Sequence, residues 1–209
     1  MYKNTFSLLK AIILIILYIF NLNIVSTIFT FLNLDTSNIT FLADAIYFGI
    51  IVLINFKYLI EQFKDMKNNT KKKVSSILLC FILVLLINFI FNFMHINYDN
   101  LNNYSNFYII FKMLLFSTLA EELLFKKTIR EVINIDYLFM LASSFIYAFI
   151  TIIYSDLTSI STWLLFLWYF SIELIMSYFY VKHENILVPI TSKFIYNFIK
   201  VILLLTGVF

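Results

Sequence analysis

Long apolar runs separated by short polar breaks dominate the hydrophobic pattern of this chain. A membrane-crossing helix needs about 20 largely apolar residues, and on that scale the pattern predicts seven spans. They run over Leu9–Leu32, Thr40–Ile60, Val74–Met94, Phe107–Phe125, Tyr137–Tyr154, Thr162–Val181 and Ile186–Leu205. At the first, Lys3 and Lys10 precede an apolar stretch as in a signal peptide, but it runs long and lacks a small-residue cleavage site, so it is read as a helix. The breaks are polar and asymmetric. Lys64, Lys67, Lys71, Lys72 and Lys73 fall between spans two and three, Lys126, Lys127 and Arg130 follow span four, and Lys182 follows span six. The alternate breaks, around Asp35, from His95 to Asn106 and around Asp156, hold no Lys or Arg. Positive charge stays on the cytoplasmic side, which predicts a cytoplasmic N-terminus and an outside C-terminus. The expected fold is an all-α, polytopic transmembrane helical bundle.

Composition strengthens this picture. The 209 residues are 62% hydrophobic and only 13% charged, against about 45–50% and about 25% in soluble domains. Partners therefore start with the lipid bilayer. A net charge of +3, carried mainly by residues flanking the spans, gives no support for nucleic-acid binding. The single Cys80 sits in an apolar run, so neither an intrachain disulfide nor a thiolate metal site can form, and it reads as a small buried hydrophobe. The basic segment 64–73 reads as a topology signal that also attracts anionic lipid, with partner docking as the other reading.

Seven ionisable residues are expected at membrane depth within the spans: Asp44, Lys112, Glu121, Glu122, Glu173, Lys193 and Lys200. Each costs about 2.5–3.5 kcal/mol near the centre of a membrane helix, so each should face the bundle and find a partner. Asp44 and Lys112 lie toward the outer ends of their spans and could pair. Glu173 and Lys193 lie at similar depth on helices joined by a short turn, and a Glu173–Lys193 ion pair is expected, with Glu121–Lys193 competing. Glu122 and Lys126 are four residues apart in the favourable order, which predicts that Lys126 neutralises Glu122 and reaches toward the interface. Glu121 points elsewhere on the helix and needs a partner of its own. Two adjacent acids exceed what one structural pair requires, so a site is expected here.

Around these acids the chain resembles the CPBP family, the CAAX-protease and bacteriocin-processing group also called Abi, which includes type II prenyl-protein endopeptidases. The family motif Glu-Glu-x-x-x-Arg is matched by Glu121-Glu122-Leu123-Leu124-Phe125-Lys126. Its Phe-x-x-x-His, often preceded by two serines, corresponds to Tyr147-Ala148-Phe149-Ile150-Thr151 after Ser143-Ser144. Its His-x-x-x-Asn, with a proline upstream, corresponds to Lys193-Phe194-Ile195-Tyr196-Asn197 after Pro189. The resemblance divides the chain into an N-terminal three-helix region, 1–106, carrying the basic loop 64–73, and a CPBP/Abi-like four-helix core, 107–209.

The resemblance implies Glu121 as the water-activating base and Asn197 as the oxyanion donor. It also makes Glu122, Lys126, Thr151 and Lys193 motif positions, with Thr151 and Lys193 replacing both histidines. Neither His95 nor His183 is placed to restore an imidazole; both fall in predicted loops as surface residues. No metal and no cofactor are expected, because hydrolytic zinc sites use His or Cys alongside carboxylates. Lys126 replaces a bidentate guanidinium with a point charge. Within the last span, Pro189 is expected to free the carbonyl of Asn185 and open the helix near Lys193. A retained scaffold with altered chemical positions is the pattern of a pseudoenzyme. The leading reading is a multi-pass protein of a bacterial cell membrane with impaired proteolysis. It would act as scaffold or regulator of a membrane or cell-envelope partner, such as a cell-wall enzyme or a bacteriocin-immunity target. The alternative is an active intramembrane endopeptidase cutting near the cytoplasmic face, with Glu121 as general base. A transporter with a proton path through Glu121, Glu173 and Lys193 is a third reading, disfavoured by the lack of internal repeats.

Overall fold

The computed structural model describes residues 2–31, 39–93 and 105–206, and all regular structure within them is helical. The predicted loops around Asp35 and at His95 lie outside the described residues. Helices α1 (Tyr2–Phe31), α2 (Ile39–Met66) and α3 (Thr70–Phe93) precede α4, which begins as Asn106–Ile110 and continues to Thr128. Then follow α5 (Asp136–Ile152), α6 (Ile160–His183) and α7 (Leu187–Leu205). Five of these, α1, α2, α3, α6 and α7, are long and apolar enough to cross a membrane. The other two depart from the expected regular spans. Helix α5 is apolar but only 17 residues long, and α4 changes its winding along its length.

Within α4, Phe111–Ala120 and Leu123–Thr128 adopt the wider π-helical register, with Glu121 and Glu122 at the junction. Such winding is rare and concentrates at functional sites. Neighbouring helices hold it by its carbonyls. The Ser143 hydroxyl of α5 donates to the Phe125 carbonyl at 2.7 Å, and the Asn197 amide of α7 donates to the Met113 carbonyl at 2.8 Å. Ser143, Ser144 and Ala148 are fully buried, and these small side chains let the α5 backbone come close to its neighbours.

The main apolar core gathers Leu14 of α1, Tyr47 and Ile51 of α2, Phe116, Leu124 and Phe125 of α4, and Phe139 of α5. A second cluster joins Cys80 and Val84 of α3 to Met176 and Phe179 of α6 and Val188 of α7. Cys80 is completely buried there, as a small hydrophobe would be. The opposite faces of the helices expose large apolar side chains, among them Leu53, Phe63, Phe89 and Ile160, as a bundle in lipid requires.

Polar contacts collect at the lysine-rich end. Asp65 of α2 accepts from Lys73 at 2.7 Å and from Asn185 at 2.8 Å, and the Gln62 side chain accepts the Ile186 amide at 2.9 Å. These bonds tie the α2–α3 turn to the α6–α7 turn, where Glu184 takes a left-handed φ of 50°. Because α7 begins at Leu187, Pro189 sits in its first turn, where its missing N–H removes nothing; the Asn185 carbonyl instead accepts the Val188 amide at 3.3 Å. The expected opening of the helix near Lys193 therefore does not occur. His183 closes α6 rather than lying in a loop, with Nε2 2.7 Å from the Ser76 hydroxyl.

At the same end, Glu131 bonds Lys10 of α1 and Lys127, each at 2.9 Å. Partial burial pushes its carboxyl up, but the bonds from Lys127 and Lys10 outweigh this and hold it below the usual carboxylate range. A depressed folded value means stability that is present above the unfolded value, about 4.3, and is lost as pH falls through the folded one. The thermal midpoint in detergent is therefore expected to fall on acidification below about pH 4, and Glu131→Gln to flatten that part of the curve.

Candidate functional site

Two adjacent residues at the π-helical junction of α4 place their carboxylates in one buried cluster. Lys126 is completely buried between Glu122 and Glu173. Its ammonium lies 2.7 Å from Glu122 Oε2, off the angle of a good hydrogen bond, and donates directly to Glu173 Oε1. Lys193 of α7 donates to Glu122 Oε1 at 2.9 Å and to Glu121 Oε2 at 3.3 Å. Its ammonium also sits 5.0 Å above the ring of Tyr147. Glu121 collects three hydroxyls besides. Tyr18 donates to Oε1 at 2.9 Å, while Ser117 and Tyr147 donate to Oε2 at 3.1 and 3.2 Å.

The expected Glu173–Lys193 pair is replaced by Glu173–Lys126, and Lys193 goes to Glu121 and Glu122 instead. Lateral position decides the pairing: Lys126 fills the space between α4 and α6 that Glu173 faces. For the same reason Lys126 does not reach toward the interface. Asp44 and Lys112 do pair, at 2.8 Å, and Tyr108 adds a 2.8 Å bond to the same carboxylate oxygen.

Glu121 and Lys193 form part of the lining of a cavity of about 390 Å³ that also reaches Thr151, Asn197, Lys112 and Lys200. The cavity occupies the half of the bundle away from the lysine-rich turns. Thr151 and Asn197 border it with their polar groups already bonded. The Thr151 hydroxyl donates to the Tyr147 carbonyl at 2.8 Å, and the Asn197 amide holds Met113. The motif positions thus sort into two sets: Glu121, Glu122, Lys126 and Lys193 in direct contact, and Thr151 and Asn197 on the cavity wall.

A residue-by-residue search of the motifs misses Tyr18, Ser117 and Glu173. Tyr18 comes from α1, which carries no motif, and it packs edge-on against Tyr47 and Phe125. Tyr147 is not singled out either; a tyrosine where the family motif has Phe is the signal that could have found it. The donor set does not fit a hydrolytic metal. No imidazole or thiolate is present in the cluster, and two ammoniums already occupy the carboxylates that a cation would need. Among the described residues no group of three His, Cys, Asp or Glu side chains has a metal-holding arrangement.

Residues 103–199 match the family model of type II CAAX prenyl endopeptidase Rce1-like proteins. This segment is similar to an Rce1-like domain. Its relatives are CAAX intramembrane endopeptidases, and the matched segment contains all of α4, α5 and α6 and α7 as far as Ile199. No curated protein and no solved structure matches the chain significantly. Tyr18 therefore reaches the acid pair of the Rce1-like domain from outside the matched segment.

Removing one member of a buried ion pair costs about 3–5 kcal/mol, because the partner is left charged and unpaired. Lys193→Met is expected to destabilise the protein by that amount, and the double variant Lys193→Met/Glu122→Gln by distinctly less than the two single losses added, in a chemical-denaturation cycle. Tyr18→Phe removes one hydroxyl from a charged acceptor and is expected to cost about 2 kcal/mol in the same measurement.

Proposed function

We propose that the Rce1-like chain is a membrane-embedded binding protein with lost or severely reduced proteolysis, a scaffold or regulator of a membrane or cell-envelope protein. The observation that carries this reading is the Lys193 ammonium, bonded at once to Glu122 and Glu121 at 2.9 and 3.3 Å. Peptide hydrolysis by this architecture needs a carboxylate with a lone pair free to take a proton from water. A carboxylate offers about four acceptor sites, and Glu121 already meets four donors, three of them on Oε2. A water approaching as nucleophile would find only the second lone pair of Oε1 open to it, beside the Tyr18 hydroxyl.

The remaining chemistry is similarly committed. An oxyanion needs donors aimed at the developing charge, whereas one of the two Asn197 amide N–H groups is engaged by the Met113 carbonyl. Thr151, at the position of a motif histidine, turns its hydroxyl onto its own helix. The ion pairs that oppose catalysis favour binding, since they fix α4, α6 and α7 as one rigid unit on which α1–α3 present their faces to a partner.

The second reading, an active endopeptidase cutting near the cytoplasmic face with Glu121 as base, draws on one observation: Glu121, Lys193 and Asn197 line a common cavity. Purified protein in liposomes, incubated with a prenylated CAAX peptide, separates the two readings. No cleavage above the level of Glu121→Gln is expected, while crosslinking from native membrane should capture the same protein partner with wild type and with Glu121→Gln. Cleavage that Glu121→Gln lowers by about 10²-fold or more, the usual weight of a general base, would overturn the binding reading.

A further inference from the structure

A second surface feature lies outside the Glu121 cavity, on the outer face of α3. Lys71, Val74, Ser75, Leu78, Leu79 and Ile82 line a groove of about 590 Å³. All six side chains are exposed, and the 71–75–78–82 spacing keeps them on one helical face. Chemistry is graded along it. At the lysine-rich end stand the Lys71 ammonium and the Ser75 hydroxyl; beyond them the lining is wholly aliphatic. From Lys71 to Ile82 the helix rises roughly 16 Å, close to the ~15 Å depth of one leaflet of hydrocarbon.

Charge at the head of the groove is one-sided. Lys64, Lys67, Lys71 and Lys72 are all exposed around the α2–α3 turn. The acids nearby are Glu61 and Asp65, and Asp65 is already taken by Lys73 and Asn185. The N-terminus of α3 adds its own partial positive charge at the same place. A cation and a hydroxyl followed by one leaflet's length of aliphatic surface have the dimensions and polarity of a lipid with an anionic head.

We propose that this groove binds one anionic phospholipid of the surrounding bilayer, with the phosphate held by Lys71 and Ser75, Lys72 beside it, and an acyl chain along Val74, Leu78 and Ile82. The site is independent of whether the Rce1-like domain cleaves peptides. The test uses the full chain in nanodiscs of mixed phosphatidylglycerol and phosphatidylcholine, with bound lipid read by native mass spectrometry after gentle release. One phosphatidylglycerol per chain is expected to be retained over phosphatidylcholine. Lys71→Gln should lower that retention about fivefold, the weight of one cation near an anionic surface. Lys71→Arg should keep it, and Ser75→Trp should exclude the lipid by filling the groove, with all variants checked for an unchanged gel-filtration profile. The paired change Lys64→Gln/Lys67→Gln should leave retention unchanged. The proposal fails on equal retention of the two lipids, or on a loss with Lys64→Gln/Lys67→Gln as large as with Lys71→Gln, which marks a diffuse basic surface. It also fails if inorganic phosphate displaces the lipid fully, or if a copurifying protein takes its place on this face.

Discussion

An ionised group removed from water must find an opposite charge, and in this protein that requirement is met by one connected cluster. Glu121, Glu122 and Glu173 face Lys126 and Lys193, three acids against two ammoniums, with hydroxyls from Tyr18, Ser117 and Tyr147 on the acid in excess. Each link crosses a helix boundary or bridges a turn, so the cluster fixes how α1, α4, α5, α6 and α7 can approach one another. The apolar contacts around it have no such directionality, and exchanging one aliphatic side chain for another leaves the arrangement of helices intact. Swapping a charge does not.

The same cluster carries the proposed loss of proteolysis. Helix α7 meets the glutamate pair of α4 with the Lys193 ammonium. An imidazole exchanges protons near neutral pH, whereas an ammonium between two carboxylates is a fixed charge. Under the proposed function Lys193 is a structural tie rather than a proton carrier. The side chains of Ser143 and Asn197 clasp the carbonyls of the widened helix α4, which holds Glu121 and Glu122 at its junction.

Much of this was legible in the sequence, for physical reasons that can be named. Apolar runs of membrane length gave the helices, because span length is set by the bilayer. The cost of buried charge gave the residues of the cluster and the Asp44–Lys112 pair. Pairing inside the cluster was less legible, since depth along a helix follows from counting residues but lateral position depends on packing; Glu173 was matched to Lys193 when Lys126 stood nearer. Pro189 was read as a break because the start of α7 was placed one residue early and its first turn was not considered. Tyr18 left no trace at all in the sequence, as a tyrosine in an apolar helix looks like core until its hydroxyl is seen on an acid.

The central claim is that the Lys193 ammonium is locked between the carboxylates of Glu121 and Glu122. Solid-state NMR on protein in lipid, with ¹⁵N-labelled lysine side chains and ¹³C-labelled glutamate carboxyls, measures this directly through dipolar recoupling. The account predicts that the Lys193 nitrogen is coupled to two glutamate carboxyl carbons, and that Glu122→Gln leaves one charged partner. A Lys193 nitrogen with no carboxyl carbon close to it would contradict the account.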